Sequence, residues 1–392
     1  MSGIHAWWAR RTTRWGLWIA TAVFMLPALS GLIGRITKGK EFGIDFNALA
    51  CAAGNVAGGV SMYAPAQFCE GFGTPGYVYA PWIARALAPA IDALGMDGVR
   101  LAYLALCLPA MLLLLWLGFA KPLGDLRWRE RAPMLALLTG GALASGNISY
   151  VLHGLIALAA LALPRGRILF ILAVAAACVL KPLYGVFLAL LLLEYRPIWR
   201  RLLTGAWAGV LCAGAGVGAM LIPDPELAGW RAMFDSAVMD KLEQAIGFFG
   251  WWAYFRLPDW PMAMYAGYVV FALAMIGAAF ALAERAKLGV WERVAFGLGL
   301  GALLNPRLMD YDLLLIGLAP LAAVVAARRV NEAFGAEVWG AVLIGCGAAL
   351  LFNVIDMTPL GMHLAPLIFS LVILYAGARV TLGRTQTAPA GA

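Results

Sequence analysis

The six residues LKPLYG, 180–185, put a lysine, a proline and a glycine in the middle of an apolar run. RILFILAVAAACV precedes them at 167–179, and VFLALLLLEY follows at 186–195. Basic clusters bound the whole stretch, Arg165 and Arg167 before it and Arg196, Arg200 and Arg201 after it. Clusters of this kind mark the cytoplasmic ends of membrane spans. If both lie on one side, the 28 residues between them must cross outward and return. Two full helical spans need about 40 residues. The stretch therefore reads as two short helices meeting at a tip below the far surface. Irregular backbone at that depth is tolerated only where protein or a wet cavity surrounds it.

The preceding interval repeats the pattern. The 33 residues 132–164 lie between two basic clusters and break at SGNIS, 145–149. The two tips, carrying Asn147 and Lys181, are expected to line a cavity open to the outside. The rest of the chain sets their context. Of 392 residues, 63% are hydrophobic and 13% charged, about half the charged share of a soluble domain. Long apolar runs recur, and the short alternation of a β-barrel is absent. The expected fold is an all-α polytopic membrane protein. The net charge of +8 is read as topology, not as nucleic-acid binding.

Arg10, Arg11 and Arg14 precede a first span at about 16–36, which places the N-terminus inside; the apolar region is too long for a cleaved signal peptide. The next cluster is Lys121, Arg127, Arg129 and Arg131, with one clear span between, at about 99–119. Residues 37–98 then form one long external loop, in which 77–95 lies in or dips into the interface. Later clusters continue the rhythm to Arg379 and Arg384. This places 19 of 29 Lys and Arg inside but only 7 of 21 acids. It yields about 12 transmembrane segments, some short and broken, with both termini cytoplasmic. Residues 1–380 form one domain and 381–392 a disordered cytoplasmic tail. The external segment 223–262, with Trp230, Trp251, Trp252 and Trp260, reads as a surface-lying amphipathic helix.

Three polar features interrupt this apolar background. Lys181 is costly among apolar residues and is a functional hypothesis by default, though a lysine can also snorkel or pair with a buried acid. At the lip of a cavity it suits an anion such as phosphate. In LLNPRLMDYDLLL, 303–315, Arg307, Asp310, Tyr311 and Asp312 stand between apolar runs. They make a site candidate, or an ordinary turn in which an aspartate caps the next helix and Arg307 pairs with the acids. In EFGIDFNALACAAGN, 41–55, Asp45 either caps a helix or acts as a base, and Glu41 is its rival one helical turn earlier.

In order, GIDFNALACAAGNVAGGVSMY, TPGYVYAPWIARALAP, SGNISYVLHGLIALAAL, VLKPLYGVFLALLLLEYRPIWR and NPRLMDYDLLL resemble the glycosyltransferase C-type superfamily over residues 15–380. Within it, the chain is most similar to glycosyltransferase family 87, the polyprenyl-phosphate-mannose-dependent mannosyltransferase-like membrane proteins. The resemblance implies a catalytic aspartate in the first external loop, which matches Asp45. It matches a Tyr-x-Pro stretch to Tyr79 and Pro81, a small polar motif to Gly146 and Asn147, and a Lys-Pro hairpin to Lys181 and Pro182. At Asn305-Pro306-Arg307, followed by Tyr311 and Asp312, the sequence departs from the family's aromatic or histidine beside Ser-Pro. That departure bears on the acceptor and the sugar.

The activity implied is transfer of a mannose-like hexose, with inversion, from a polyprenyl-phosphate donor to a lipid-linked or cell-envelope acceptor. The resemblance places it at the external face of a bacterial plasma membrane. Asp45 would take the acceptor proton. Lys181 and Arg307 would hold the donor phosphate, and Tyr79, Asn147, Asp310, Tyr311 and Asp312 would contact substrate. No cofactor is expected. No metal is expected either, since His5, His153 and His363 are far apart; His153 should make a local bond in its helix. Four of the six cysteines read as span residues, while Cys51 and Cys69 share the external loop and could pair. The alternatives are a secondary transporter, for which broken helices and a buried lysine are also suitable, and a non-catalytic protein of the same fold.

Overall fold

The computed structural model describes residues 14–40, 42–63, 76–258, 260–355 and 358–383. Every regular element among them is helical. Six helices are long and apolar enough to cross a membrane: Pro81–Ala120, Ile198–Met220, Pro261–Arg285, Asp310–Val330, Glu332–Val354 and Pro359–Leu382. A seventh candidate is the pair Trp15–Phe24 and Leu26–Thr37, bent by 51°. Pro27 stands in the first turn of the second member, where a residue without an N–H ends one helix and starts another. The chain is thus a helical, membrane-embedded protein.

The long spans number about half of the twelve segments expected from charge, because the hairpin arms are too short to count. Ser149–Leu161 has 13 residues and Arg167–Leu180 has 14. At 1.5 Å per residue each is about 20 Å long, against about 30 Å of hydrocarbon. Pro182–Leu193 is the third short apolar helix, and its first half winds as a 3₁₀ helix, Pro182–Leu188.

Pro81–Ala120 has the opposite problem. Its 40 residues would make a rod of about 60 Å. The rod is broken at Gly95, whose φ of 67° and ψ of 172° are not helical. The break falls close to the boundary read from charge near residue 98. It separates an arm over 81–94 from the apolar stretch that follows.

Residues 223–262 do not form one surface helix. They fold into four short pieces, Leu227–Phe234, Asp235–Met239, Leu242–Gln244 and Phe248–Tyr254. Trp251 is buried. The Ile246 N–H donates to Leu308 O at 2.7 Å and the Phe249 N–H to Pro306 O at 2.9 Å. The turn at 305–309 offers free carbonyls, and capturing them outweighs lying flat on a surface. At the other limit of the chain, the last helix, Thr358–Leu382, runs two residues into the segment read as tail. Residues 384–392 lie outside the described residues.

Asp310–Val330 is the central element, with 83% of its apolar window buried. Val290–Leu303 packs beside it and is buried along nearly its whole length. Ion pairs tie the ends of these helices together at one end of the molecule. Arg328 binds Asp125 at 3.2 Å and Glu130 at 2.5 Å. Arg329 pairs with Glu292, and Arg201 and Arg293 share Glu284 at 2.8 and 2.6 Å. The basic segments 121–131, 193–201, 284–293 and 328–332 therefore meet on one side. Asn147 and Lys181 stand at the far ends of two helices that rise from that side.

Candidate functional site

Two glycines bring the Asp45 helix to the first hairpin tip. Gly43 caps Ile44–Ala57 with φ 76°, and Gly146 turns the SGNIS tip with φ 63°. Both conformations are left-handed, where glycine carries no steric cost. They also touch: a Cβ on Gly146 would sit 2.8 Å from Gly43 Cα, and the Gly43 N–H donates to Ala144 O at 2.8 Å. Two side chains of the long helix hold the junction. Arg100 donates to Asn47 Oδ1 at 2.6 Å, and the Tyr103 hydroxyl donates to Gly146 O at 2.7 Å.

Asp45 therefore sits in the first turn of its helix and makes no side-chain cap. Its Oδ2 accepts instead from Asn147 Nδ2 at 2.8 Å, across 102 residues of sequence. Asn147 Oδ1 accepts from Lys181 Nζ at 3.1 Å. Carboxylate, amide and ammonium form one continuous line. Lys181 also donates to Ser149 Oγ at 2.7 Å, which leaves one of its three N–H donors free. Asp45 and Lys181 are half-buried, while Asn147 is buried between them. Burial holds the Asp45 carboxyl above its usual value of 3.8, and the Asn147 bond and the charges of Lys181 and Arg35 oppose that rise.

The other residues singled out from sequence surround this line. The Tyr79 and Tyr311 rings lie 5.8 and 5.2 Å from the Lys181 ammonium, within cation–π range. Asp312 is buried, and its charge acts on Lys181. It is also a cap, since its Oδ2 accepts from the Met309 N–H at 3.0 Å. Asp310 lies within electrostatic reach of Asp45. Arg307 makes no ion pair among the described residues. It donates weakly to Ala237 O at 3.5 Å, and its charge reaches Tyr79, Tyr311 and Asp312. The eight candidates Asp45, Tyr79, Asn147, Lys181, Arg307, Asp310, Tyr311 and Asp312 share one region. Glu41 lies outside the described residues.

Some expectations need correction, and some participants were missed. His153 makes no local bond. It is buried, its ring lies 4.9 Å from that of Tyr184 in a tilted arrangement, and it points Nδ1 at Asp312 Oδ1 from 3.7 Å. Ser149 and Arg35 also belong to the cluster. Ser149 is legible as part of SGNIS, and nothing in the sequence around Arg35 singles it out. The two tips touch each other through Asn147 and Lys181, so no wide gap separates them. Cavities of about 330 and 230 Å³ lie by the turn 163–167, at the opposite end. Cys51 is disulfide-bonded; Cys69 lies outside the described residues. Comparison of the chain with family models, characterised proteins and solved structures finds no match.

Proposed function

We propose that this chain is a membrane glycosyltransferase that moves a mannose-like hexose from a polyprenyl-phosphate donor to a lipid-linked or cell-envelope acceptor. The observation that carries the reading is the line Asp45–Asn147–Lys181, closed by bonds of 2.8 and 3.1 Å. A half-buried carboxylate and a half-buried ammonium, held apart by one amide, supply a base and a cation on one small surface. Asp45 takes the proton of the acceptor hydroxyl as its oxygen attacks the anomeric carbon. The bond from that carbon to the phosphate oxygen breaks. The electron pair leaves on the polyprenyl phosphate, whose growing charge meets the free N–H of Lys181 and the guanidinium of Arg307. Direct displacement inverts the anomeric configuration. Tyr79 and Tyr311, flanking Lys181, offer aromatic faces to a sugar ring.

The proposed topology counts each hairpin arm as a crossing. The seven long candidates, the three short apolar helices, Val290–Leu303 and the arm 132–145 then give twelve crossings. Both termini lie with the ion-paired basic end, taken as cytoplasmic, and the site faces outside at a bacterial plasma membrane. The gathering of basic segments at one end supports that assignment.

The test uses purified full-length protein in proteoliposomes, with radiolabelled polyprenyl-phosphate hexoses and a panel of glycolipid acceptors. Transfer that depends on Asp45 supports the reading. Donor that neither binds nor reacts under any pairing overturns it.

A further inference from the structure

The turn that joins the two short hairpins lies at the end of the molecule away from the site, and it encloses the cavity of about 330 Å³. Arg165, Arg167 and Arg196 line it, together with Gly166, Thr204 and Trp207. Arg165 forms no ion pair among the described residues. Arg167 donates to Thr204 Oγ1 at 3.1 Å. Glu194 is the nearest opposing charge, 3.6 Å from Arg167 and 3.5 Å from Arg196. One carboxylate against three guanidinium groups leaves the cavity with two uncompensated positive charges. Helix Arg167–Leu180 begins in the cavity wall and lacks a side-chain cap, so its first N–H groups add to the positive field. A Cβ on Gly166 would meet nothing within 4 Å, so the mouth is open.

The wall above the mouth is apolar and outward-facing. Ile168 is 68% exposed and Trp207 45%, and both line the cavity. Leu172 and Leu211 lie four residues further along the same two helices, and they are 54% and 41% exposed. Residues four apart share a helix face, so a lipid-facing strip runs from the arginines into the hydrocarbon. A free inorganic anion needs the arginines and has no use for the strip. A diacyl phospholipid uses both, its phosphate in the cavity and its chains along the strip.

We infer that this cavity binds the headgroup of an anionic phospholipid from the leaflet at the basic end. The site is separate from the donor site proposed around Lys181 and does not depend on that reading. A headgroup seated here bridges Arg165 on one hairpin and Arg196 on the next.

The test is native mass spectrometry of the detergent-purified full chain titrated with dioleoyl phosphatidylglycerol, dioleoyl phosphatidylcholine or inorganic phosphate. The variants are Arg165→Ala with Arg196→Ala, the corresponding double Lys variant, and Lys181→Met. Arg165 and Arg196 are exposed, so their loss leaves packing intact. A basic residue near an anionic lipid is worth a factor of about 5, so the Ala pair should weaken phosphatidylglycerol retention about 30-fold. The double Lys variant should keep most of it, and Lys181→Met should keep all of it. Equal retention of the two lipids by wild type overturns the inference. So does displacement of phosphatidylglycerol by inorganic phosphate at similar concentration, which marks a plain anion site. Loss of retention in Lys181→Met also overturns it, because the lipid is then reporting the other end of the molecule.

Discussion

Replacing Asp45 by asparagine separates chemistry from architecture. The carboxylate makes one described hydrogen bond, Oδ2 to Asn147 Nδ2 at 2.8 Å, and caps nothing. The amide oxygen of an asparagine can accept that same bond, so the line to Lys181 survives. A hydrogen bond between neutral groups contributes about 1 kcal/mol net, somewhat less than one to a charged acceptor. Removing a half-buried charge returns part of the difference, because ionising this carboxyl is opposed by burial. The fold should therefore change by no more than about 1 kcal/mol. The chemistry should change far more. Loss of a general base costs about 10²–10⁴-fold in rate, or about 2.7–5.4 kcal/mol of barrier. The assay is single-turnover hexose transfer in proteoliposomes, with donor-lipid binding and thermal unfolding measured on the same preparation. Asp45→Asn should bind donor, melt within a few degrees of wild type and transfer at most about 1% as fast. Transfer within about threefold of wild type would refute the base role. So would a rate loss matched by lost donor binding, since that marks a binding defect.

Lys181→Met should weaken donor-lipid binding strongly and Lys181→Arg should keep part of it; unchanged binding in the Met variant makes the lysine structural. Transfer should fall as pH drops through the raised value of Asp45, because the base must be ionised. Asn147→Ala removes a bond that favours the ionised form, so its acid limb should move to higher pH than wild type in the same rate–pH profile. Gly146→Ala should destabilise the fold by at least about 1–2 kcal/mol from the left-handed backbone alone, with the Gly43 contact adding to it, read as a lowered denaturation midpoint. Asp92→Cys, in a chain whose Cys51 and Cys69 are replaced by serine, should react with an impermeant thiol reagent on intact cells; labelling only after permeabilisation reverses the topology.

The helical membrane class was legible in composition, because apolar runs leave no other way to satisfy the backbone in lipid. The hairpin breaks were legible too, since 28 and 33 residues between basic clusters are too few for two full spans. Asn147 and Lys181 follow from those breaks. What sequence could not reveal was the partner of each side chain. The Asp45–Asn147 bond spans 102 residues, and nothing local specifies it except two glycines whose left-handed turns let the backbones touch. His153 was misassigned for the same reason. Its contacts are Tyr184, Phe187 and Asp312, all on other elements, so a local bond was the only one that sequence could suggest. Residues 223–262 were misread because aromatic content alone does not separate a surface helix from pieces hooked onto a turn.

A lysine between apolar helices must be solvated by something, or it would neutralise or expel itself. Here two oxygens do that work, Asn147 Oδ1 and Ser149 Oγ, and both come from the other hairpin tip. The charge of Lys181 therefore fastens the two short hairpins to each other. Asn147 uses its second polar group on Asp45, so the same amide also fastens the first-loop helix. Three segments distant in sequence converge on the geometry of one asparagine side chain. A replacement that keeps the size but cannot serve both neighbours, such as Asn147→Asp, would place a second carboxylate against Asp45 while strengthening the pull on Lys181. The balance favours loss of the Asp45 contact, since like charges at hydrogen-bond distance cannot both stay ionised and unpaired. Asn147 thus couples the proposed base to the proposed phosphate-binding cation, and its amide, donor on one side and acceptor on the other, is the chemistry that this position requires.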